Sequence, residues 1–177
     1  MRIIAGKYKK SNLFTVPGFT SRPTTDFLRE VIFSVVFDWE DKTVLDLFAG
    51  SGSLGFEAIS RGANSVDFVD ASEKAIKTIL KNKHKLGCEN CRIHKKRVNS
   101  FLRKCETKFD MIFLDPPYEK NLVNDTLNII FENRLLRTGG IIIAEHSVYE
   151  KIDEKFREKI QNEKTTKHSA VTFLGER

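Results

Sequence analysis

Four consecutive apolar residues, Met111, Ile112, Phe113 and Leu114, are followed at once by Asp115-Pro116-Pro117-Tyr118. An unbroken apolar run of this kind is what a parallel strand buried on both faces requires, so the sheet needs a layer of helices on each side. Neither proline can donate to a sheet ladder, so pairing stops there and Asp115 stands at the strand's carboxyl end. The turn offers acceptors and almost no donors, beside an aromatic ring. It suits a planar amino group, whose hydrogens the turn accepts while Tyr118 covers the ring that bears it.

The rest of the chain alternates strand and helix patterns. Thr43 to Phe48 reads as a strand, Ser53 to Arg61 as a helix closed by Gly62, and Ser65 to Asp70 as a second strand. Ser72 caps a helix whose Ile76, Ile79, Leu80 and Leu86 share a face, with Gly87 at its end. Cys91 to Lys95 is a third strand, Asn99 to Lys104 at most a short helix, and Asp110 to Leu114 the fourth strand. Leu122, Leu127, Ile130 and Phe131 mark another helix, Gly140 to Glu145 a fifth strand, and Val148, Ile152, Phe156 and Ile160 a charge-covered helix. Lys164 to Gly175 makes two further strands around His168 to Ala170. Ahead of these units, Thr24, Thr25 and Asp26 suit the N-cap of a helix carrying Leu28, Val31, Ile32, Val35 and Val36, which should lie on the main sheet. Arg2 to Ala5 and Leu13 to Val16 read as the short strands of a hairpin. Such alternation predicts an α/β fold: a mostly parallel seven-stranded sheet with helices on both faces, an antiparallel edge and a small N-terminal basic hairpin.

At 177 residues, 40% of them hydrophobic, the chain fits one domain, with residues 1–22 as an arm and 23–177 as the core. No apolar run approaches the roughly 20 residues of a membrane span, and the three cysteines Cys88, Cys91 and Cys105 read as reduced thiols. A cytoplasmic protein is expected. The net charge of +6 is concentrated: residues 1–22 hold five basic groups (Arg2, Lys7, Lys9, Lys10, Arg22) and no acid, and residues 81–97 hold seven against Glu89 alone. Clustering of this kind is the footprint of a polyanion partner.

In an open sheet of this type ligands bind beyond the carboxyl ends of the strands, where strand order reverses. Three loops point there. Asp46-Leu47-Phe48-Ala49-Gly50-Ser51-Gly52-Ser53-Leu54-Gly55 contains G-x-G-x-x-G between a strand and a helix, the second loop ends at Asp70, and the third carries Asp115. The spacing also matches a dinucleotide fingerprint. Asp46 separates the two readings, because a carboxylate at the mouth of the glycine loop would repel a pyrophosphate yet can pair, directly or through water, with an amino acid's ammonium. S-adenosylmethionine has that ammonium, a ribose for Asp70, an adenine and no phosphate. Phe48, Gly50 and Gly52 would line its binding loop, the glycines admitting close backbone approach, and the helix start near Ser53 favours its carboxylate.

These residues carry a resemblance to a known family. The chain resembles the bacterial small-subunit ribosomal RNA guanine-N2 methyltransferases (RsmD), through R-I-I-A-G-K-Y-K at Arg2 to Lys9, R-P-T-T-D at Arg22 to Asp26, D-L-F-A-G-S-G-S-L-G at Asp46 to Gly55 and F-L-D-P-P-Y at Phe113 to Tyr118. The glycine loop and D-P-P-Y specify only the wider class of amino-group methyltransferases, whereas the arm with R-P-T-T-D points to this family. The resemblance implies a class I (Rossmann-like) S-adenosylmethionine-dependent enzyme that methylates guanine N2 in 16S ribosomal RNA, free or in an assembling small subunit, as a monomer. Asp115 and the Pro116 carbonyl would then accept from the target amine, Asp115 would also border the cofactor, and Tyr118 would stack on the extruded base. Where relatives often carry an acid after the third strand, this chain reads Lys96-Arg97-Val98-Asn99-Ser100, which leaves Asn99 or a backbone carbonyl for the adenine amine. Arg2, Lys7, Lys9, Lys10 and Arg22 would contact RNA phosphates.

Rival readings are a DNA adenine-N6 or other nucleic-acid amino methyltransferase, a nicotinamide-dependent oxidoreductase, and a non-catalytic RNA-binding module. His84-x3-Cys88-x2-Cys91-x2-His94 supplies four potential zinc ligands, but alternation along the third strand turns Cys91 and Ile93 to one face and Arg92 and His94 to the other, so no metal is expected. His146, just past the fifth strand, reads as a surface or capping histidine.

Overall fold

The computed structural model describes residues 1–18, 24–36, 38–117 and 121–176. One sheet contains β1 Thr43–Leu47, β2 Ser65–Asp70, β3 Cys91–Lys95, β4 Phe109–Leu114, β5 Leu136–Ser147, β6 Ile160–Thr165 and β7 Ser169–Gly175, in the order β3-β2-β1-β4-β5-β7-β6. The first five strands run parallel, and β7 enters antiparallel between β5 and β6. The helices are α1 Thr24–Val35, α2 Ser53–Ser60, α3 Glu73–Leu86, α4 Val98–Leu102 and α5 Leu122–Glu132. Strand order reverses between β1 and β4, where a crevice opens at the carboxyl ends.

Side chains alternate along each strand and divide the core into two layers. Val44, Phe68, Phe113, Ile143 and Phe173 pack with Ile3 and Leu13 of the arm, Ile32 and Phe33 of α1, Phe56 of α2 and Ile79 of α3. Leu45, Leu47, Ile112, Leu114 and Ile142 pack on the other face with Leu102 of α4, Val123, Leu127 and Ile130 of α5, and Phe156. Gly55 makes the first layer possible: a Cβ there would stand 2.3 Å from the Phe68 ring. No helix among the described residues is long and apolar enough to cross a membrane.

Three expectations are corrected. The charge-covered helix expected from Val148 to Ile160 is a single 3-10 turn, Glu154–Lys159, and Ile160 already belongs to β6, opposite Leu174. Only Phe156 of that turn is buried, against Phe131 with ring centroids 5.4 Å apart, so the segment lacks the apolar stripe that seats an amphipathic helix. Leu80 is half exposed, and the buried face of α3 is Ala75, Thr78, Ile79 and Asn82 instead. The arm forms no paired strands either. It closes through one antiparallel bridge, Arg2 to Asn12, with Ile3 N–H donating to Ser11 O and Lys10 N–H to Ile3 O.

What holds the arm is side chains of the core. Glu57 of α2, fully buried, accepts from the Ile4 and Ala5 amides at 2.7 and 3.0 Å and from Arg61 Nε at 2.8 Å. The Ser60 carbonyl accepts from Lys7 N–H, and its hydroxyl accepts from Tyr8 N–H. Gly6, at φ +80°, lies so close to this helix end that a Cβ would sit 1.7 Å from Ser60 O. Asn82 of α3, also fully buried, accepts from Phe14 N–H and donates to both Phe14 O and Ser51 O, so one amide ties the arm to the glycine loop.

One acid lies inside β1. Asp46 is 2% exposed and accepts from Gly55 N–H at 3.0 Å, while burial pushes its carboxyl up to about 8 against the lowering effect of that amide. The unfolded chain releases this proton near pH 4, so the folded state holds the extra proton between about pH 4 and 8. Relative to Asp46→Asn, the wild type should therefore lose stability as pH rises through that window, seen as a growing gap in denaturant midpoints; a constant gap would mean that Asp46 titrates normally. Glu57→Ala strands two buried amides and Arg61, and should cost about 3 kcal/mol in urea unfolding, with a loss under about 1 kcal/mol refuting the clamp.

Candidate active site

The carboxyl ends of the strands enclose a cavity of about 790 Å³, within the range of small-molecule sites. Its walls come from the glycine loop (Phe48, Gly50, Ser51), the β2 end (Asp70, Ala71, Ser72), the α4 start (Arg97, Val98, Asn99, Ser100) and the turn after β4 (Asp115, Pro116, Pro117). All three loops picked out by sequence thus meet in one space.

The glycine loop is shaped by backbone conformation. Phe48, Gly50 and Gly52 take φ of 57°, 56° and 77°, alternating with Ala49 and Ser51. A non-glycine residue at positive φ is uncommon, and Phe48 stores strain where the loop borders the cavity. A Cβ on Gly50 would meet only Phe48 O, at 3.9 Å, so the space over Gly50 is open to a ligand. On Gly52 a Cβ would stand 2.8 Å from the Phe56 ring, so Gly52 serves packing and does not line the cavity.

Asp70 locks this loop to β2. One oxygen accepts from Gly50 N–H at 2.9 Å and the other from Ser72 N–H at 2.7 Å. A carboxylate has about four acceptor positions, so two remain for the cavity that Asp70 lines. Asp46 stands behind the wall, holding Gly55, which leaves the water-bridged form of the contact expected for it. Asn99 lines the cavity, and its amide offers an adenine both an acceptor for the amine and a donor for N1, which an acid cannot do.

Met1, Thr15 and Val16 of the arm, Leu122 of α5 and Glu145 of β5 complete the lining. Sequence reasoning missed all five. For Glu145 a signal existed, an acid ending the strand beside the Asp115 strand. For the arm residues there was none, because their placement depends on Glu57 and Asn82.

The basic residues divide. Arg2, Lys7, Lys9 and Lys10 are exposed on the arm, whereas Arg22, like Tyr118, lies outside the described residues. In the second cluster Arg92 pairs with Asp67 at 2.6 Å, and Lys95 pairs with Glu73. Lys85 reaches over the Phe14 ring, 4.8 Å from its centroid, and so joins α3 to the arm. His94 takes the other Asp67 oxygen at 2.6 Å, on the strand face opposite Cys91, whose sulfur lies 3.8 Å from that of Cys88. His146 is buried and contacts Ser147 O and Thr172 Oγ1, joining β5 to β7 away from the cavity, not at the surface.

Comparisons with known proteins agree with this architecture. Residues 1–174 match the family model described as conserved hypothetical protein 95. The Escherichia coli K12 protein named ribosomal RNA small subunit methyltransferase D is 33% identical over 152 residues, covering 84% of this chain and 75% of that protein. The solved structure of Escherichia coli YhhF superposes with a TM-score of 0.88 at 30% identity, covering 100% of this chain and 99% of that one. The fold also matches the Thermus thermophilus 16S rRNA N2 G1207 methyltransferase RsmC, solved with AdoMet and guanosine, at a TM-score of 0.74 and 20% identity over 91% of this chain and 45% of that one. By the match over nearly its whole length, the chain belongs to the conserved hypothetical protein 95 family, the family of the RsmD-type small-subunit ribosomal RNA methyltransferases.

Proposed function

We propose that this protein transfers the methyl group of S-adenosylmethionine to the N2 amine of a guanine in small-subunit ribosomal RNA. The observation that carries this reading is the union, in one cavity, of the acceptor-only turn Asp115-Pro116-Pro117 with the glycine loop and Asp70. The names of its relatives support ribosomal RNA as substrate. Every residue invoked belongs to one chain, so a monomer suffices.

The cavity residues fit the cofactor. Gly50 leaves open space, the remaining acceptor positions of Asp70 suit ribose hydroxyls, Asn99 suits the adenine edge, and Asp46 places an acid beneath the loop for the ammonium. When bound, the sulfonium supplies an electrophilic methyl carbon, whose bond to sulfur breaks, leaving the electron pair on sulfur, as its bond to nitrogen forms. The chain's part is orientation. The guanine amine donates its lone pair into the purine and is a poor nucleophile until its hydrogens are held. Asp115 and the Pro116 carbonyl accept those hydrogens, direct the lone pair at the methyl carbon and stabilise the positive charge that develops on nitrogen. The proton that nitrogen loses leaves through the Asp115 carboxylate. Tyr118 stacks on the extruded base.

The arm supplies docking. Its exposed cations lie on a segment whose ends form part of the cavity wall, so phosphates held by Arg2, Lys7, Lys9 and Lys10 bring a neighbouring base to the Asp115 turn. Phe14, half exposed beside Lys85, extends that surface onto α3.

The direct test is mass mapping of methylated nucleosides in small-subunit RNA from a deletion strain. One N2-methylguanosine should disappear and return when the purified protein and S-adenosylmethionine are added; loss of a different nucleoside would overturn the target. Asp115→Ala should lower kcat by a factor on the order of 10² to 10⁴ with calorimetric cofactor affinity nearly unchanged, and wild-type turnover would remove Asp115 from the mechanism. Replacing Arg2, Lys7, Lys9 and Lys10 by alanine should reduce the log–log salt slope of RNA binding by up to about 0.7 to 0.9 for each phosphate that the arm no longer neutralises. A wild-type slope would move docking to the Lys81 to Arg97 segment.

A further inference from the structure

The cavity has two chemically distinct ends. The glycine loop, Asp70 and Asn99 form one, and the β4 and β5 ends form the other, lined by Asp115, Pro116, Pro117, Leu122 and Glu145. The parallel pairing of β4 with β5 matches Leu114 to Ala144, so Asp115 and Glu145 are the next residues on adjacent strands and leave the sheet side by side. Glu145 is only 7% exposed although it borders the cavity, and its neighbour His146 is turned to Thr172. Among the described residues lining this end, none carries a side-chain donor. Two carboxylates together form an acceptor surface wider than a single amine needs.

Resting on the function proposed above, we infer that Glu145 sets the choice of base by accepting N1–H of the target guanine while Asp115 takes the N2 amine. Guanine presents N1–H and the N2 amine as adjacent donors, which match two adjacent carboxylates. Adenine presents its amine beside an N1 that carries a lone pair and no proton, so a carboxylate facing that position repels it. A D-P-P-Y turn alone accepts either amine, and the second acid supplies the discrimination. Sites built to bond a particular hydrogen reject analogues that lack it far more strongly than sites that read shape.

The probe is 2-aminopurine, which keeps the exocyclic 2-amine and has an unprotonated N1. Deletion-strain small subunits would be reconstituted with RNA carrying either guanine or 2-aminopurine at the nucleotide mapped by mass spectrometry, and kcat/KM compared. The wild type should prefer guanine by at least about 100-fold, and Glu145→Gln, whose amide can donate to N1, should compress that ratio below about 10-fold by gaining on 2-aminopurine while losing on guanine. Glu145→Ala should lose on guanine without the gain. A wild type that treats the two bases alike would overturn the inference however the variants fold, and so would a folded Glu145→Gln that keeps the wild-type ratio. A wild type that methylates no guanine amine would instead overturn the proposed function itself.

Discussion

The pairing of β1 between β2 and β4 is the constraint on which the rest of the structure depends. Because β1 has parallel neighbours on both sides, its end and theirs stop at one level, and the connections that follow diverge over opposite faces of the sheet. The crevice left between them receives Asp70 from β2 and Asp115 from β4. Register maintains this: Leu47 pairs with Val69 on one side and Leu114 on the other, so each acid is the next residue along. A slip of one residue in either ladder would turn both a core row and a site acid to the wrong face.

Two buried polar side chains extend that frame to the arm. A segment of 16 residues with one bridge and few apolar anchors cannot order itself, since fixing each backbone residue costs on the order of 1–2 kcal/mol. Ile3, Leu13 and Val16 bury apolar surface, and Glu57 and Asn82 satisfy amides that would otherwise be stranded beneath it. Both are acceptors aimed at backbone, so they bind any sequence at those positions; the side chain that must be small is Gly6. The arm consequently presents its cations outward while its ends close the cavity, one segment serving both surfaces.

The charge distribution is less uniform than the residue count implies. Part of the second basic cluster is neutralised within the fold, Arg92 by the buried Asp67 and Lys95 by Glu73. Arg92 and His94 converge on Asp67 because they share a strand face, and that convergence fastens β3 to β2. A cluster along the sequence therefore contributes less field than the same cations would on an arm with no acids in its first 22 residues.

Strong local patterns were readable from the chain alone. β2 and β3 have the expected bounds residue for residue, Ser72 caps α3 and Gly87 ends it in the left-handed region, because strand periodicity, capping oxygens and glycine conformations are properties of a few adjacent residues. The three loops of the cavity were legible for the same reason: each follows a strand, and parallel strands bring their carboxyl ends together. What the sequence could not show was decided by contacts between distant segments. The stretch around Phe156 became a turn and an edge strand because β7 needed a partner for its open side, and the arm gave up its ladder to the acceptors of Glu57 and Asn82. Glu145 became part of the site only through the register of β5 on β4. Composition and periodicity thus determined the α/β architecture and the position of its crevice, whereas tertiary packing decided which buried acids and amides face it, since burial and pairing are set by neighbours far along the chain.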